Sequence, residues 1–256
     1  MSATKDAFRA PDKILLDLGI EAPEEIDIEV IAHYCGAIVV YEPLAGCEAY
    51  ILGHGDRAII TINSSSNRGR QRFSIGHELG HWARDRGTIG LACDKRKMLP
   101  QRRFDDREHM ANVYATDLLL PASLFVPRAR GKEMTLDTVR QLADVFQMSL
   151  TSTAIRLVQL GSFPATLVYT EHDGCKWSVK SDGLFFRVHD APGQDTVAHD
   201  LLHGRTVSGA PTDVPAEEWI EGRRAGRYSV CEHSTKVGEG VLTLLWWKNE
   251  RIFTDR

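Results

Sequence analysis

His77-Glu78-Leu79-Gly80-His81 is an H-E-x-x-H sequence, and it decides how the chain is interpreted. In a helix, residues four apart lie on one face, so His77 and His81 can present their imidazoles to a single metal ion. Glu78 lies about 100° around the helix from His77, where it can reach a water rather than the ion. Two imidazoles suit Zn²⁺, and a carboxylate can act as general base toward a water activated by that ion. The pattern therefore predicts metal-assisted hydrolysis, with His77 and His81 as ligands and Glu78 as the catalytic base.

The residues around the motif predict a helix over 68–85, because this stretch has no proline and an acceptable helical pattern of apolar positions. Its apolar members are Phe73, Ile75, Leu79 and Trp82. Histidines and a glutamate on such a helix need a partner once they are buried, and a metal ion is the simplest one. The alternative, a surface helix with two exposed histidines, is disfavoured by this apolar context.

A catalytic zinc ion normally has three protein ligands, so a third is expected. The stretch 105–121 predicts a helix that ends near Pro121. Glu108 shares a face with Ala111 and Ala115, whose small side chains would let this helix lie close to the first one. We therefore expect Glu108 to be the third ligand. The alternatives are His109, Asp105 and Asp106.

At this point two separated stretches resemble the ImmA/IrrE family of zinc metallopeptidases. The family pattern pairs R-F-x-x-x-H-E-x-x-H with E-x-x-A-N-x-F-A-A-x-L-L-x-P, and the resemblance covers roughly residues 12–160. The first part is matched by 72–81 and the second by 108–121. Tyr114 replaces the usual Phe, and Thr116-Asp117 replaces the usual Ala-Glu, which leaves the metal-binding positions intact.

The resemblance implies that His77, His81 and Glu108 hold one Zn²⁺ and that Glu78 is the catalytic base. Members of the family typically cleave a cognate helix-turn-helix repressor, which relieves repression of stress, phage or mobile-element genes. We therefore expect a zinc-dependent endopeptidase whose substrate is a helix-turn-helix repressor or an antitoxin-like regulator. Arg72 and Tyr114 are further candidates, as donors that stabilise an oxyanion. The alternative is a non-catalytic zinc-containing regulator that sequesters a repressor or binds DNA itself.

Composition indicates an ordinary globular protein without a membrane span. The 256 residues carry a net charge of −4, which argues against a general nucleic-acid binder. No apolar run approaches 18 residues, and the N-terminus lacks the apolar core of a signal peptide. Five scattered cysteines form no C-x-x-C pair, which is typical of reduced thiols in a cytoplasmic protein. Cys93 is a lesser candidate for a fourth zinc ligand or a redox switch.

The overall pattern predicts an α+β protein that begins with a zincin-like metallopeptidase domain over 1–130. Helical patterning covers 6–18 and 27–35, and a small three-stranded sheet is predicted from 38–41, 49–52 and 58–62. The segment 88–103 is expected to be a loop between the two metal-binding helices. The favoured interpretation of its basic cluster is a solvated loop. The alternative is a flap that recognises an acidic patch of the substrate. This cluster is Lys95, Arg96, Lys97, Arg102 and Arg103.

Residues 131–161 are predicted to form a helix-turn-helix-like helical unit. A DNA-reading helix should offer several donors to phosphates and bases, whereas the cations of the segment 135–160 are Arg140 and Arg156, against the acids Asp137 and Asp144. Structural support or substrate docking is therefore favoured over direct DNA binding.

Residues 162–256 are predicted to form a C-terminal α+β domain, a candidate sensor or partner-binding domain, on an antiparallel sheet. The predicted strands are 166–170, 177–180, 185–188, 227–232 and 241–247, with a short helix at 195–202. His199 and His203 repeat the four-residue histidine spacing, but Asp200 stands where the motif has Glu, which disfavours a second metal site. Trp246 and Trp247 alternate along a strand, so one is expected in the core and the other partly exposed.

Overall fold

The computed structural model describes residues 10–86, 89–93, 106–222 and 225–248, with the backbone alone described for 89–93 and 106. The chain divides into two compact units. The first contains the described residues up to Phe125 together with Ala143–Ser149, and the second contains Val126–Leu142 and the described residues from Leu150 onward. The domain boundaries suggested above, after residues 130 and 161, stay a prediction.

The first unit is built on a mixed sheet with helices. Its elements are α1 (Pro11–Asp17), α2 (Ile28–Tyr34), β1 (Ala37–Glu42), β2 (Ala49–His54), β3 (Arg57–Asn63), α3 (Arg68–Arg84), β4 (Ile89–Cys93) and α4 (Asp106–Leu119), with a 3₁₀ turn at Pro23–Glu25. The strand order is β1-β3-β2-β4, in which β1 and β3 are parallel and the other pairs are antiparallel.

The three predicted strands are present in this sheet, and β4 extends it to four. We predicted a loop over 88–103, which includes this strand. Its residues Gly90 and Ala92 are of types depleted in strands. Backbone pairing with Ala49–Gly53 of β2 makes it a strand all the same. Pairing partners that are distant in sequence override weak local preference.

One glycine lets α2 lead directly into the sheet. Gly36 stands between α2 and β1 with φ of +82°, a left-handed conformation that glycine adopts at little cost. A Cβ at this position would lie 2.6 Å from the carbonyl oxygen of Asp56 in the β2–β3 turn. Beyond this turn, alternate residues of β3 enter the core, where Ala58, Ile60 and Ile62 are buried and α3 packs on the sheet.

Three helices follow α4: α5 (Ala122–Ala129), α6 (Leu136–Phe146) and α7 (Leu150–Leu160). The last two occupy the region predicted as a helix-turn-helix-like unit and are joined by Gln147-Met148-Ser149. Gln147 has φ of +53°, which is unusual for a residue other than glycine. Throughout the described ranges, every helix is too short or too polar to span a lipid bilayer.

The second unit contains the predicted antiparallel sheet. Its elements are β5 (Ala165–Glu171), β6 (Gly174–Lys180), α8 (Val197–Leu202), β7 (Thr212–Pro215), β8 (Ser229–Val237) and β9 (Gly240–Trp246), with 3₁₀ turns at Ala216–Glu218 and Ala225–Arg227. The order is β6-β5-β9-β8-β7, and each neighbouring pair is antiparallel. Helix α7 packs against β5 and β6, and α8 packs against β8 and β9.

Two expectations for this unit were wrong. Residues 185–188 form no strand, since Val188 makes only an isolated bridge to Ile220. Trp246 and Trp247 are both buried, at 2% and 3% exposed, because aromatic rings cover both of them. Phe163 packs on Trp246, and Phe186 packs on Trp247, each at a centroid distance of 5.4 Å.

His233 connects β8 to the start of α6. Its Nδ1 accepts from the backbone N–H of Leu136 at 3.1 Å, and its Nε2 donates to the carbonyl of Gly209 at 3.0 Å. This pair of bonds requires the neutral ring, and burial lowers the pKa of His233. A histidine whose pKa is lower in the folded state than in the unfolded state contributes fully to stability above its unfolded-state pKa of about 6.5. This contribution is lost as the pH falls below that value.

We expect the free energy of unfolding to fall between pH 7.5 and 5.5, and His233→Gln to reduce this fall. Linkage limits the effect of one histidine to about 1.4 kcal/mol per pH unit. Urea unfolding of both proteins at the two pH values measures it. His54→Gln, at the exposed end of β2, is the matched control and should leave the pH dependence unchanged. An equal pH dependence in wild type and His233→Gln would contradict the assignment.

Candidate metal centre

Helices α3 and α4 carry the predicted motif residues and begin and end close to where the sequence predicts. The side chain of Asn67 caps α3 by accepting from the backbone N–H of Arg70 at 3.0 Å. The helix then passes through the core, and residues 74–82 are buried without a break. Over these residues the helix is surrounded by the protein interior on every side.

The two helices approach each other through small residues. A Cβ added to Gly80 would lie 2.8 Å from Cα of Ala111, and one added to Gly76 would lie 3.2 Å from Cα of Ala115. Ala111 and Ala115 are themselves buried. The glycines and the alanines are each spaced four apart, so the two small stripes face each other over a full turn. This contact positions Glu108, one turn before Ala111, against the histidines.

The structure brings the three predicted ligands together. Nε2 of His77 and Nε2 of His81 are 3.1 Å apart, and oxygens of the Glu108 carboxylate lie 3.4 Å from the first and 3.5 Å from the second. The residues are 0%, 1% and 8% exposed, so Glu108 is the most accessible of the three. Among the described residues, this is the group of histidine, cysteine and acidic side chains that could hold a metal ion.

These separations fit a small tetrahedral ion. Zinc bonds of about 2.0–2.1 Å at tetrahedral angles place neighbouring ligand atoms about 3.3 Å apart. The observed separations of 3.1, 3.4 and 3.5 Å scatter around that value. Two imidazole nitrogens at 3.1 Å with their lone pairs turned inward repel unless a proton or a cation lies between them. The donor set therefore fits a zinc ion.

Asn112 orients His77. Its Oδ1 lies 3.0 Å from Nδ1 of His77, so the Nδ1–H donates to the amide and the lone pair of Nε2 is directed at the other two donors. Asn112 is one turn beyond Glu108 on α4, so one helix supplies both contacts. No role for Asn112 was predicted from the sequence. Its spacing of four from Glu108 was the available signal.

Burial keeps His81 neutral. The pKa of His81 is lowered to about 4, mainly by desolvation and next by nearby His77, while Glu108 opposes the shift. A neutral imidazole is the form that binds a metal ion. Glu78 is fully buried on the same turn of α3. Its role as general base stays a prediction.

Arg72 and Tyr114 are the predicted oxyanion donors, and both are buried. Nη2 of Arg72 donates to the carbonyl of Ile26 at 3.1 Å. Tyr114 lies on α4, and burial raises the pKa of its hydroxyl. The charge of Cys35 raises this pKa further, and the charge of Arg86 opposes the shift. Their roles in catalysis remain untested predictions.

The other candidates lie outside the group or outside the described side chains. His109 is exposed on α4, and His54 is exposed at the end of β2. His199 and His203 stack at a centroid distance of 4.1 Å, but no acidic or cysteine side chain joins them in a metal-binding group within the described ranges. The remaining candidates fall outside the described side chains. They are Cys93, Asp105, Asp106, Lys95, Arg96, Lys97, Arg102 and Arg103.

Comparisons with known proteins agree with this geometry. Residues 32–158 match the model of the Peptidase_M78 family, described as an IrrE N-terminal-like domain, and α3 and α4 both lie inside the match. A solved structure of a Mycobacterium tuberculosis transcriptional regulator is similar in fold, with a TM-score of 0.59 and 14% identity over 92% of this chain and 73% of that chain. A search of curated proteins gives no significant match.

We expect Gly80→Ala to lower zinc affinity and stability more than Gly76→Ala does. Alanine favours helices over glycine by about 1 kcal/mol, but overpacking a close contact costs about 1–3 kcal/mol. The contact at Gly80 is the closer of the two, so α4 and Glu108 must move further. Chelator competition measures zinc affinity, and thermal unfolding of the metal-free proteins measures stability. Equal zinc affinity in both variants and wild type would contradict the close-packing account.

We expect Asn112→Ala to weaken zinc binding by about 10- to 100-fold, the usual cost of losing a ligand-orienting contact. Asn112→Asp keeps an acceptor for the Nδ1–H of His77 and should recover much of the affinity. The same chelator competition ranks the three proteins. If alanine and aspartate variants bind zinc equally well, the contact does not orient the ring.

Proposed function

The chain belongs to the ImmA/IrrE (Peptidase_M78) metallopeptidase family, and from this premise we propose that it is a zinc-dependent endopeptidase. The observation that carries the proposal is the spacing of His77, His81 and Glu108, which suits a tetrahedral ion with three protein ligands. Three ligands leave one coordination position for water, which is the arrangement of catalytic rather than structural zinc sites.

Each side chain of the His-His-Glu group, and Glu78 beside it, would have a separate role in the reaction. When bound, Zn²⁺ supplies a Lewis acid that polarises the peptide carbonyl and lowers the pKa of water to about 7. His77, oriented by Asn112, and His81, kept neutral by burial, would supply the nitrogen ligands. Glu108 would supply the oxygen ligand and one negative charge. Glu78 would accept a proton from the attacking water and pass it to the leaving amine.

We propose a helix-turn-helix repressor or an antitoxin-like regulator as the substrate, whose cleavage relieves repression of stress or mobile-element genes. Family membership is the main support for this substrate class. The fold similarity to a protein named as a transcriptional regulator is compatible with a role in gene control.

Direct DNA binding by α6 and α7 is less well supported. Arg156 is 8% exposed, so its guanidinium is not presented to a duplex. Arg140 is exposed but forms an ion pair with Asp137 at 2.6 Å. A phosphate-binding surface needs several available cations. Sequestration of a repressor without cleavage is the other alternative, and it predicts that Glu78 is dispensable.

We expect Glu78→Gln to retain zinc and lose proteolysis by at least about 10²-fold, because removing a general base costs on the order of 10²–10⁴ in rate. The zinc-loaded protein is incubated with the helix-turn-helix repressor encoded nearest its gene, and fragments are identified by intact mass spectrometry. Asp117→Asn is the matched control, since Asp117 lies about 180° around α4 from Glu108.

A single cut by wild type and by Asp117→Asn, absent with Glu78→Gln, supports the peptidase and its base. Repressor binding that is unchanged in Glu78→Gln, without a cut by wild type, would favour sequestration instead. Salt-dependent binding to duplex DNA would favour the DNA-binding alternative.

A further inference from the structure

A polar groove lies in the first unit beside the N-terminal part of α3. Its volume is about 410 Å³, within the range of about 300–1,000 Å³ typical of ligand-binding pockets. Its charged and polar walls come from the start of α2, from β1 and from the first two turns of α3. Its lining includes the carboxylates of Glu24, Asp27 and Glu29, the hydroxyl of Tyr41 and the guanidinium groups of Arg68 and Arg72.

The groove lies on a different side of α3 from the metal centre. Helical geometry places Arg72 about 140° from His77 and about 180° from His81. Arg68, one turn earlier, is likewise about 180° from His77. Binding in the groove therefore involves side chains that the proposed hydrolysis does not use.

Two arginines line this groove, and neither forms an ion pair with a carboxylate of the described residues. Arg72 is only 8% exposed, its Nη2 donates to the carbonyl of Ile26, and its buried Nε–H has no acceptor among the described residues. Within the described part of the chain, neither Arg68 nor Arg72 has a carboxylate oxygen within 4.0 Å. A buried arginine without an acidic partner is costly, because its charge has lost water and gained little in return.

Two of the three acids that line the groove, Asp27 and Glu29, accept hydrogen bonds from other groups. Oδ1 of Asp27 caps α2 by accepting from the backbone N–H groups of Glu29 and Val30, at 3.0 and 3.2 Å. Oε1 of Glu29 accepts from the hydroxyl of Tyr41 at 2.7 Å. Burial lowers the pKa of Arg72, and the positive charge of Arg68 lowers it further, against the opposing influence of Asp27. The arginine pair is thus the part of the groove whose charge is least compensated.

We propose that this groove binds the carboxylate of an acidic side chain from a protein partner. A planar guanidinium binds a carboxylate through two parallel hydrogen bonds, and a second cation at the rim strengthens the attraction. A carboxylate carries a single charge, so it is repelled less than a dianionic phosphate by the carboxylates that also line the groove. The inference does not depend on the peptidase proposal.

The test follows the side-chain Nε–H signal of Arg72 in ¹H–¹⁵N spectra of the full chain, assigned with Arg72→Lys. The probe is the peptide acetyl-Gly-Glu-Glu-Gly-amide, added up to about 10 mM to reach weak affinities. The glutamine peptide acetyl-Gly-Gln-Gln-Gly-amide, sodium acetate and inorganic phosphate are added to separate samples. Arg68→Gln tests the second cation, and Arg84→Gln makes the same charge change at the exposed far end of α3.

We expect the glutamate peptide to shift the Arg72 signal and the other three probes to leave it in place. Arg68→Gln should weaken peptide binding by about tenfold, the loss of one charge-assisted contact, and Arg84→Gln should not change it. No shift with the glutamate peptide would overturn the proposal. An equal shift with acetate or phosphate would overturn the assignment of the ligand to a protein segment. An equal shift with the glutamine peptide would overturn the conclusion that the groove recognises a carboxylate. Unchanged peptide binding in Arg68→Gln would contradict the proposal that the two arginines bind the carboxylate together.

Discussion

Two glycines of α3, Gly76 and Gly80, let its backbone approach Ala111 and Ala115 of α4, and the His-His-Glu group exists because of that approach. Each histidine side chain is short, so Glu108 can reach both nitrogens only when the helix axes are close. Helices that pack through larger residues are held about 8–10 Å apart by their side chains. The glycines of α3 and the alanines of α4 therefore determine where the three donor side chains lie.

Helix α3 is unusual for a buried helix because its polar residues enter the interior on more than one side. Buried helices are generally apolar all round. Here, one side carries the histidines and another carries Arg72, and each set makes a different kind of contact. The helix therefore carries the buried His-His-Glu group on one side and the buried Arg72, which has no ion pair among the described residues, on another. Both are expensive to bury without a partner, which is the physical reason for assigning each of them a ligand.

Sequence alone predicted the helices of the metal centre, the three donors and three strands of the first sheet. It succeeded there because periodicity is local: the histidines are four residues apart, and Glu108 shares its face with two alanines. It failed for β4 and for residues 185–188, where distant backbone pairing decides the outcome. It also missed that Trp246 and Trp247 are both covered, since the rings that cover them come from distant segments.

The fixed distance between α3 and α4 also has a consequence for which ions can be accommodated. The donor atoms are 3.1–3.5 Å apart, and the close approach of α3 and α4 at Gly76 and Gly80 makes that spacing possible. Calcium needs bonds of about 2.3–2.6 Å to six or more oxygens, and magnesium prefers a shell of oxygen and water. Discrimination by ionic radius and hardness is therefore a property of glycine and alanine positions that never touch the ion.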